Sequence, residues 1–334
     1  MINMGKNINY QIEGLRGTSI MIVLLYHLID RFQQIYFGRN IRAMDFWGSF
    51  GVTIFLIISG FFAVDPESAS CKKSEVVFAL KKFFLRIWPT YMVCVLITYL
   101  LTQIRELPGR TYGLKELITN WLGINHLLGM PYIDGAHWYL TVLTAMFLVV
   151  LLFRIFGIHS KPVPYLLWIM MAYIIHCFRE DSFLFGGCFV GCYCVGIAIK
   201  VLIREKGSER RKWGGVLIAA ILETFLTRGA VCTVELVVAS VLLLLCLCKK
   251  MPFLGCGICA WVGKISYSLY LIHQNVGFWI EYQLMHENDL YKMQYAFIAI
   301  VIVFLLAILL FYMVEKPSRK IIEDSKRRKN AVIC

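Results

Sequence analysis

Long apolar segments recur along the chain, and they constrain its fold more than any other feature. An α-helix needs about 20 apolar residues to cross the core of a bilayer, and several segments approach that length. Only 16% of the 334 residues are charged, against about 25% in soluble domains. We predict ten spans, at residues 17–36, 46–63, 87–104, 138–156, 163–178, 183–203, 213–227, 231–248, 265–281 and 294–314.

These segments predict an all-α integral membrane protein in which about ten transmembrane helices form one bundle. The longest stretch between spans, 105–137, is expected to hold a short interfacial or re-entrant helix. Residues 1–334 are predicted to form a single membrane domain with no appended soluble domain.

The distribution of positive charge predicts the orientation in the membrane. If the N-terminus lies in the cytoplasm, the inner loops and ends hold 25 of the 34 Lys and Arg residues and the outer loops hold 9. The positive-inside rule therefore places both ends in the cytoplasm and 105–137 outside. The net charge of +13 and the short basic tail at 315–334 are then explained by attraction to lipid headgroups, and a nucleic-acid partner is not expected.

Twelve cysteines are present, and most lie inside apolar runs, where they are expected to be small packing residues. Cys256 and Cys259 form a lone CxxC without a second ligand pair, so no metal site is predicted.

Titratable groups at membrane depth are functional candidates because they are costly in lipid. Arg16 and His27 are eleven residues apart, which brings them to one face of an α-helix, about 16 Å apart along its axis. His273, nine residues beyond Lys264, is expected at a depth similar to that of His27. The alternative for either histidine is a single hydrogen bond to a neighbouring helix.

Two further groups are predicted near the outer ends of helices. Glu223 and Glu235 flank Arg228, and either a local ion-pair cluster or a polar wall facing a substrate would explain them. His137 and Trp138 begin the fourth span, where the tryptophan is either an interfacial anchor or a surface for a sugar ring.

Five motifs, in order along residues 13–320, resemble those of the acyltransferase-3 family of integral membrane O-acyltransferases. They include an Arg-x10-His pair at the start and a Glu-x-Pro sequence at the end. The segments are GLRGTSIMIVLLYH, FGVTIFLIISGFF, FFLRIWPTY, WVGKISYSLYLIHQ and VEKPSRK. The chain departs from the pattern at Phe83, where many members have Arg, and at Leu143, where many have Glu.

The resemblance implies transfer of an acyl group, usually acetyl, from cytoplasmic acyl-CoA to a hydroxyl on the outer face of a bacterial plasma membrane. It implies a carbohydrate acceptor, either a cell-surface polysaccharide or its lipid-linked precursor. Acetyl-CoA or another acyl-CoA would be the donor substrate, with no permanently bound cofactor. The alternatives are a transporter or flippase of a sugar-containing substrate, and a membrane sensor or assembly subunit with a vestigial site.

The resemblance also suggests residue roles. His27 is expected to be the general base for the acceptor hydroxyl, and a transient acyl-histidine is a less economical alternative. Arg16 is expected to serve in catalysis and, with Arg86 and Lys82, to bind the CoA phosphates. Supporting candidates are Ser59, Ser266, Tyr267, Tyr270, His273 and Glu315, and acceptor-side candidates are His137, Trp138, Glu223 and Glu235.

Overall fold

The computed structural model of the protein describes residues 9–39, 42–64, 73–180, 182–285 and 291–331. All regular elements in these ranges are helices, interrupted by short 3₁₀ and π-helical turns. The α-helices are α1 Tyr10–Leu25, α2 Phe32–Phe37, α3 Arg42–Ala63, α4 Lys73–Ile104, α5 Leu114–Trp121, α6 Trp138–Ile155, α7 Pro162–Phe178, α8 Val190–Arg204, α9 Gly207–Leu247, α10 Gly257–Ile272, α11 Asn275–Leu284, α12 Met293–Leu310 and α13 Lys316–Ala331.

The predicted all-α membrane class is confirmed. Among the residues that the structure describes, seven helices are long and apolar enough to cross a bilayer, and α7 and α10 are shorter apolar helices. Each of the ten predicted segments overlaps a helix of the structure, although the number of spans and the location of the two ends stay predictions. The seven are Tyr10–Phe37, Phe46–Ala63, Glu75–Ile104, Gly135–Ile155, Leu184–Arg204, Gly207–Leu247 and Met293–Asp324.

The seventh and eighth predicted spans lie together in α9, a helix of 41 residues. At about 1.5 Å per residue, such a helix would be about twice as long as a bilayer core is thick. Its regular geometry is interrupted at Gly229, whose positive φ of 82° is readily adopted only by glycine. The interruption falls between the two predicted spans.

Helix α12 shows why these elements need lipid around them. Its buried side is formed by small residues such as Ala296 and Ala299, whereas large apolar side chains on its other sides are exposed. Phe297, Val301 and Leu305 are each more than half exposed. A helix that is apolar all round is typical of a membrane span.

The chain divides into two compact units. The first comprises Met1–Val23, Ala43–Val76 and Tyr139–Lys264, and the second comprises Leu24–Arg42, Val77–Trp138 and Ile265–Cys334. In the predicted basic tail, side chains from residue 325 onwards lie outside the described residues.

In the first unit, α8 is almost entirely buried. Gly60 of α3 faces the backbone of Tyr193, and Gly196 of α8 faces the backbone of Ile57. A methyl group on either glycine would overlap the facing main chain, so α3 and α8 approach closely because these positions are glycine. Small residues at helix contacts are the usual basis of helix packing in membranes.

In the second unit, two tryptophans hold the short helix α5 against α4. The indole of Trp88 donates to the carbonyl of Trp121 at 2.9 Å, and the indole of Trp121 donates to the carbonyl of Met92 at 3.0 Å. The short helix expected within 105–137 is therefore present, and these bonds fix the segment that leads to the candidate site.

Candidate active site

His27 lies in a π-helical turn that continues α1. The turn spans Tyr26–Arg31, and regular α-helix resumes at Phe32. A π-helical turn accommodates an extra residue, and such turns are frequent at functional sites. The α-helical spacing from Arg16 therefore holds only as far as Leu25, and a shared face for Arg16 and His27 stays a prediction.

The ring of His27 contacts that of His273, a residue 246 positions later in the sequence. His27 Nδ1 and His273 Nε2 are 3.4 Å apart, and the two rings are nearly perpendicular with centroids 4.8 Å apart. His273 is completely buried, whereas His27 is partly buried. The structure thus pairs the two histidines that the sequence singled out at similar depth.

His273 lies where a helix is interrupted. Helix α10 ends at Ile272, α11 begins at Asn275, and the two residues between them form a turn. His273 Nδ1 donates to the carbonyl of Tyr270 at 2.7 Å. An interruption of this kind leaves backbone groups without helical partners, and within a membrane they need partners from elsewhere in the protein.

Residues 133–137 supply those partners. His137 Nε2 donates to the carbonyl of Leu271 at 2.9 Å, and the Asp134 carboxylate accepts from the Asn275 backbone amide at 2.9 Å. The Tyr270 hydroxyl donates to the carbonyl of Ala136 at 2.5 Å. Asp134, His137 and Asn275 are all buried.

The structure places His137, a predicted acceptor-side residue, beside the interrupted helix. Its side chain is 1% exposed and packs against the rings of Tyr91 and Tyr270. Its Nδ1 has no hydrogen-bond partner among the described residues. Trp138 is partly buried, and its predicted role stays open.

Sequence reasoning missed two residues of this site, Asp134 and Asn275. The second Asp134 oxygen accepts from the Ala136 amide at 2.9 Å, and the Asn275 side-chain amide donates to the carbonyl of Ile133 at 2.6 Å. An Asp two residues before its backbone partner is a turn signal, so the DGAH sequence offered a clue to the local turn. Nothing near Asn275 in the sequence indicates its partner, which lies more than 130 residues away.

A second cluster surrounds Glu315, which ends the other π-helical turn, Phe311–Glu315. Glu315 is completely buried, accepts a hydrogen bond of 2.5 Å from Ser268 and forms an ion pair with Arg319. Arg86 also interacts with it electrostatically. Arg319 is thus a partner of Glu315 that sequence reasoning did not single out.

Two further supporting candidates and the two donor-binding candidates of α4 also belong to the second unit. Tyr267 donates to the carbonyl of Ile87 at 2.8 Å, and Ser266 is buried. Arg86 and Lys82 are exposed on α4, four residues apart and therefore on one side of the helix. Two exposed cations on one helix side form a surface that an anion can reach.

Arg16 and Ser59 belong to the first unit. The Arg16 guanidinium forms an ion pair with Glu13 at 3.4 Å, and its carbon lies 6.0 Å from the centre of the Phe62 ring. Ser59 shares a hydrogen bond with Tyr139, a buried tyrosine that also interacts electrostatically with Arg16. Arg16, Ser59 and Tyr139 therefore form one polar group on three helices of this unit.

Glu223, also in the first unit, is 2% exposed. It accepts a hydrogen bond of 3.1 Å from the backbone amide of Gly191, in the first turn of α8. A carboxylate is favourable there because the N-terminus of a helix carries partial positive charge. Glu223 therefore stabilises the start of α8.

Glu235 is buried and accepts hydrogen bonds from the hydroxyls of Ser49 and Thr53. Arg228 interacts electrostatically with both glutamates, yet within the described part of the chain it forms an ion pair with neither. Its guanidinium instead lies 3.2 Å from the sulfur of Cys192. The ion-pair explanation thus reduces to longer-range attraction, and the polar-wall explanation stays a prediction.

One family model matches the chain. It is the model described as "Acyltransferase domain", and it matches residues 9–314, which is nearly the whole sequence. Searches among curated proteins and among solved structures found no match. The matched range contains the histidine pair and the interrupted helix, and it ends one residue before Glu315. The chain therefore belongs to the acyltransferase-3 family and is a multi-pass membrane acyltransferase.

Proposed function

We propose that this membrane acyltransferase is an O-acetyltransferase of a bacterial plasma membrane. Its donor is cytoplasmic acetyl-CoA, and its acceptor is a hydroxyl of an extracytoplasmic carbohydrate, either a cell-surface polysaccharide or the lipid-linked precursor. The observation that most supports this proposal is the contact between His27 and His273, since a neutral imidazole held by a buried partner suits general-base catalysis.

In the proposed reaction, His27 takes the proton of the acceptor hydroxyl while the hydroxyl oxygen bonds to the carbonyl carbon of the thioester. The resulting oxyanion needs hydrogen-bond donors, and Ser59, Tyr270 and His273 were the sequence candidates. When the carbon–sulfur bond breaks, the proton on His27 passes to the thiolate. The products are the O-acetyl ester, CoA with its free thiol, and neutral His27, so no cofactor or metal is consumed.

Binding of the donor is assigned to cations. CoA carries several negative charges and cannot enter lipid, so its phosphates must stay near the membrane surface. Arg86 and Lys82 are exposed on one side of α4, and the guanidinium of Arg86 can bind phosphate through two parallel hydrogen bonds. Arg16 is proposed as a further donor-binding residue on the evidence of its motif spacing to His27.

The residues proposed to contact the acceptor are chosen by the chemical type of their side chains. Trp138 offers an aromatic face, a group that carbohydrates contact, whereas Glu223 and Glu235 are acceptor-side candidates from the sequence alone. His137 is removed from direct contact with the acceptor in this proposal, since it is buried and its Nε2 proton is bound to the Leu271 carbonyl.

The test is to express the protein and its His27→Gln variant at equal membrane levels in cells lacking the protein. Mass analysis of the surface glycans should show alkali-labile acetyl groups only with the wild type, and purified wild-type protein should transfer label from radioactive acetyl-CoA to those glycans. Glycans that change in amount but not in acetylation would instead favour a flippase. Equal acetylation by the variant would remove His27 from the mechanism.

A further inference from the structure

The hydrogen bonds of His273 determine which of its nitrogens carries the proton. Its Nδ1 lies 2.7 Å from the backbone carbonyl of Tyr270. A carbonyl oxygen can only accept a hydrogen bond, so Nδ1 of His273 must be the protonated nitrogen. In the neutral ring, Nε2 is then an acceptor.

The protonated nitrogen of His273 also determines which nitrogen of His27 carries a proton. His273 Nε2 lies 3.4 Å from His27 Nδ1. Because Nε2 can only accept, the hydrogen bond between the two rings requires a proton on His27 Nδ1. The basic lone pair of neutral His27 must then be on Nε2, the nitrogen on the other side of its ring.

We propose that His273 is a positioning residue, which holds His27 in the tautomer that presents Nε2 as the proton acceptor. The proposal rests on the proposed function in one respect, namely that His27 is the general base. It assigns His273 a role different from the oxyanion donor considered from the sequence, since a ring that accepts through Nε2 cannot also donate there.

The interrupted helix fixes His273 in the required geometry. The peptide before it is held by the bond from His137 to Leu271, and the residue two positions after it is held by the bond from the Asn275 amide to Asp134. The titratable groups that act on His273 are His27, Asp134 and His137. Both Asp134 oxygens accept backbone amides, one from Ala136 and one from Asn275, so their hydrogen bonds are directed at the main chain.

The direct test is the nitrogen NMR spectrum of the full chain in lipid nanodiscs, with ¹⁵N-labelled histidine. The His27 signals are identified by their loss in the His27→Gln variant. We expect protonated Nδ1 and unprotonated Nε2 for His27 in the wild type. In the His273→Leu variant, which removes the acceptor, His27 should become a mixture of tautomers. A protonated Nε2 on His27 in the wild type would overturn the proposal.

Activity gives the second readout. Glutamine places its side-chain oxygen near the position of Nε2, so His273→Gln should retain an acceptor for His27. We expect His273→Leu to lower kcat at least about tenfold, less than the loss of about 100-fold or more expected when the base itself is removed, with KM for acetyl-CoA unchanged. His273→Gln should recover most of the rate. His126→Gln, in the loop 105–137, is the matched control and should leave the rate unchanged.

The two readouts separate this proposal from the proposed function. An unchanged rate in His27→Gln would refute the base, while the NMR assignment would still decide the tautomer. Equal loss of rate in the Leu and Gln variants, with an unaltered His27 spectrum in both, would show that His273 acts only through packing and would refute the positioning role.

Discussion

At the scale of single residues, the structure divides the motif residues by environment. His27 has a ring nitrogen as its neighbour, whereas Arg16 is paired with Glu13 and lies near an exposed phenyl ring. Arg86 and Lys82 are exposed cations. Substitution of a residue that takes part in the chemical step should affect kcat, whereas substitution of a residue that binds an anion should affect KM.

We therefore expect His27→Ala to reduce kcat by about 100-fold or more while the affinity for acetyl-CoA stays nearly the same, since a base acts on the transition state. Arg16→Ala should instead raise KM for acetyl-CoA, and a high donor concentration should restore part of the rate. Steady-state kinetics and equilibrium binding of acetyl-CoA measure both effects. The same pattern in both variants would argue against divided roles.

Arg86 should contribute to donor binding through its planar guanidinium. We expect Arg86→Ala to weaken acetyl-CoA binding, and Arg86→Lys to recover part of it because a point charge replaces a two-bond contact. Glu315 keeps Ser268 and Arg319 as partners in either variant, so the free energy of unfolding should change little. Lys81→Ala, which removes a neighbouring exposed cation of α4, is the control. Normal binding by Arg86→Ala would exclude Arg86 from the donor site.

At the scale of elements, the informative features are the places where helices depart from regularity. The apolar pattern predicted the helices, and the predicted boundary at 228–230 coincides with the interruption at Gly229. The two π-helical turns and the break at His273 were not predictable, because their sequences contain neither Gly nor Pro at the irregular positions. The break depends on hydrogen bonds from residues 133–137, and no local sequence pattern records such distant partners.

Asp134 should be the residue on which this break depends most. Its two carboxylate oxygens accept one backbone amide each, whereas asparagine has a single acceptor oxygen. Asp134→Asn should therefore leave one buried amide unsatisfied and cost about 1–3 kcal/mol. The expected result is a lower Tm in detergent, measured by scanning fluorimetry. Glu106→Gln, the same kind of substitution at an exposed residue, is the control. An unchanged Tm in Asp134→Asn would contradict this account of the break.

At the scale of the whole molecule, composition predicted the membrane class, and the charge distribution predicts a topology that labelling can test. Single cysteines placed in 105–137 should react with a membrane-impermeant maleimide added to intact cells. Cysteines placed in 200–212 should react only after the membrane is permeabilised, because the positive-inside rule assigns that basic loop to the cytoplasm. Labelling of 200–212 but not of 105–137 in intact cells would show that the orientation is the opposite of the predicted one. The candidate site was harder to predict from the sequence. Asp134 and Asn275 act through contacts between distant parts of the chain. Arg319 pairs with Glu315, and the motif that contains Glu315 does not indicate this partner.

The interrupted helix also has a consequence for biosynthesis. A ribosome makes residues 133–137 well before residues 270–275, so the groups that complete the break have already been synthesised when the broken helix arrives at the membrane. Its unpaired amide and carbonyl would otherwise enter lipid at a cost of several kcal/mol. The order of synthesis thus favours assembly, and a circularly permuted chain that made the broken helix first would deliver it to the bilayer without its partners.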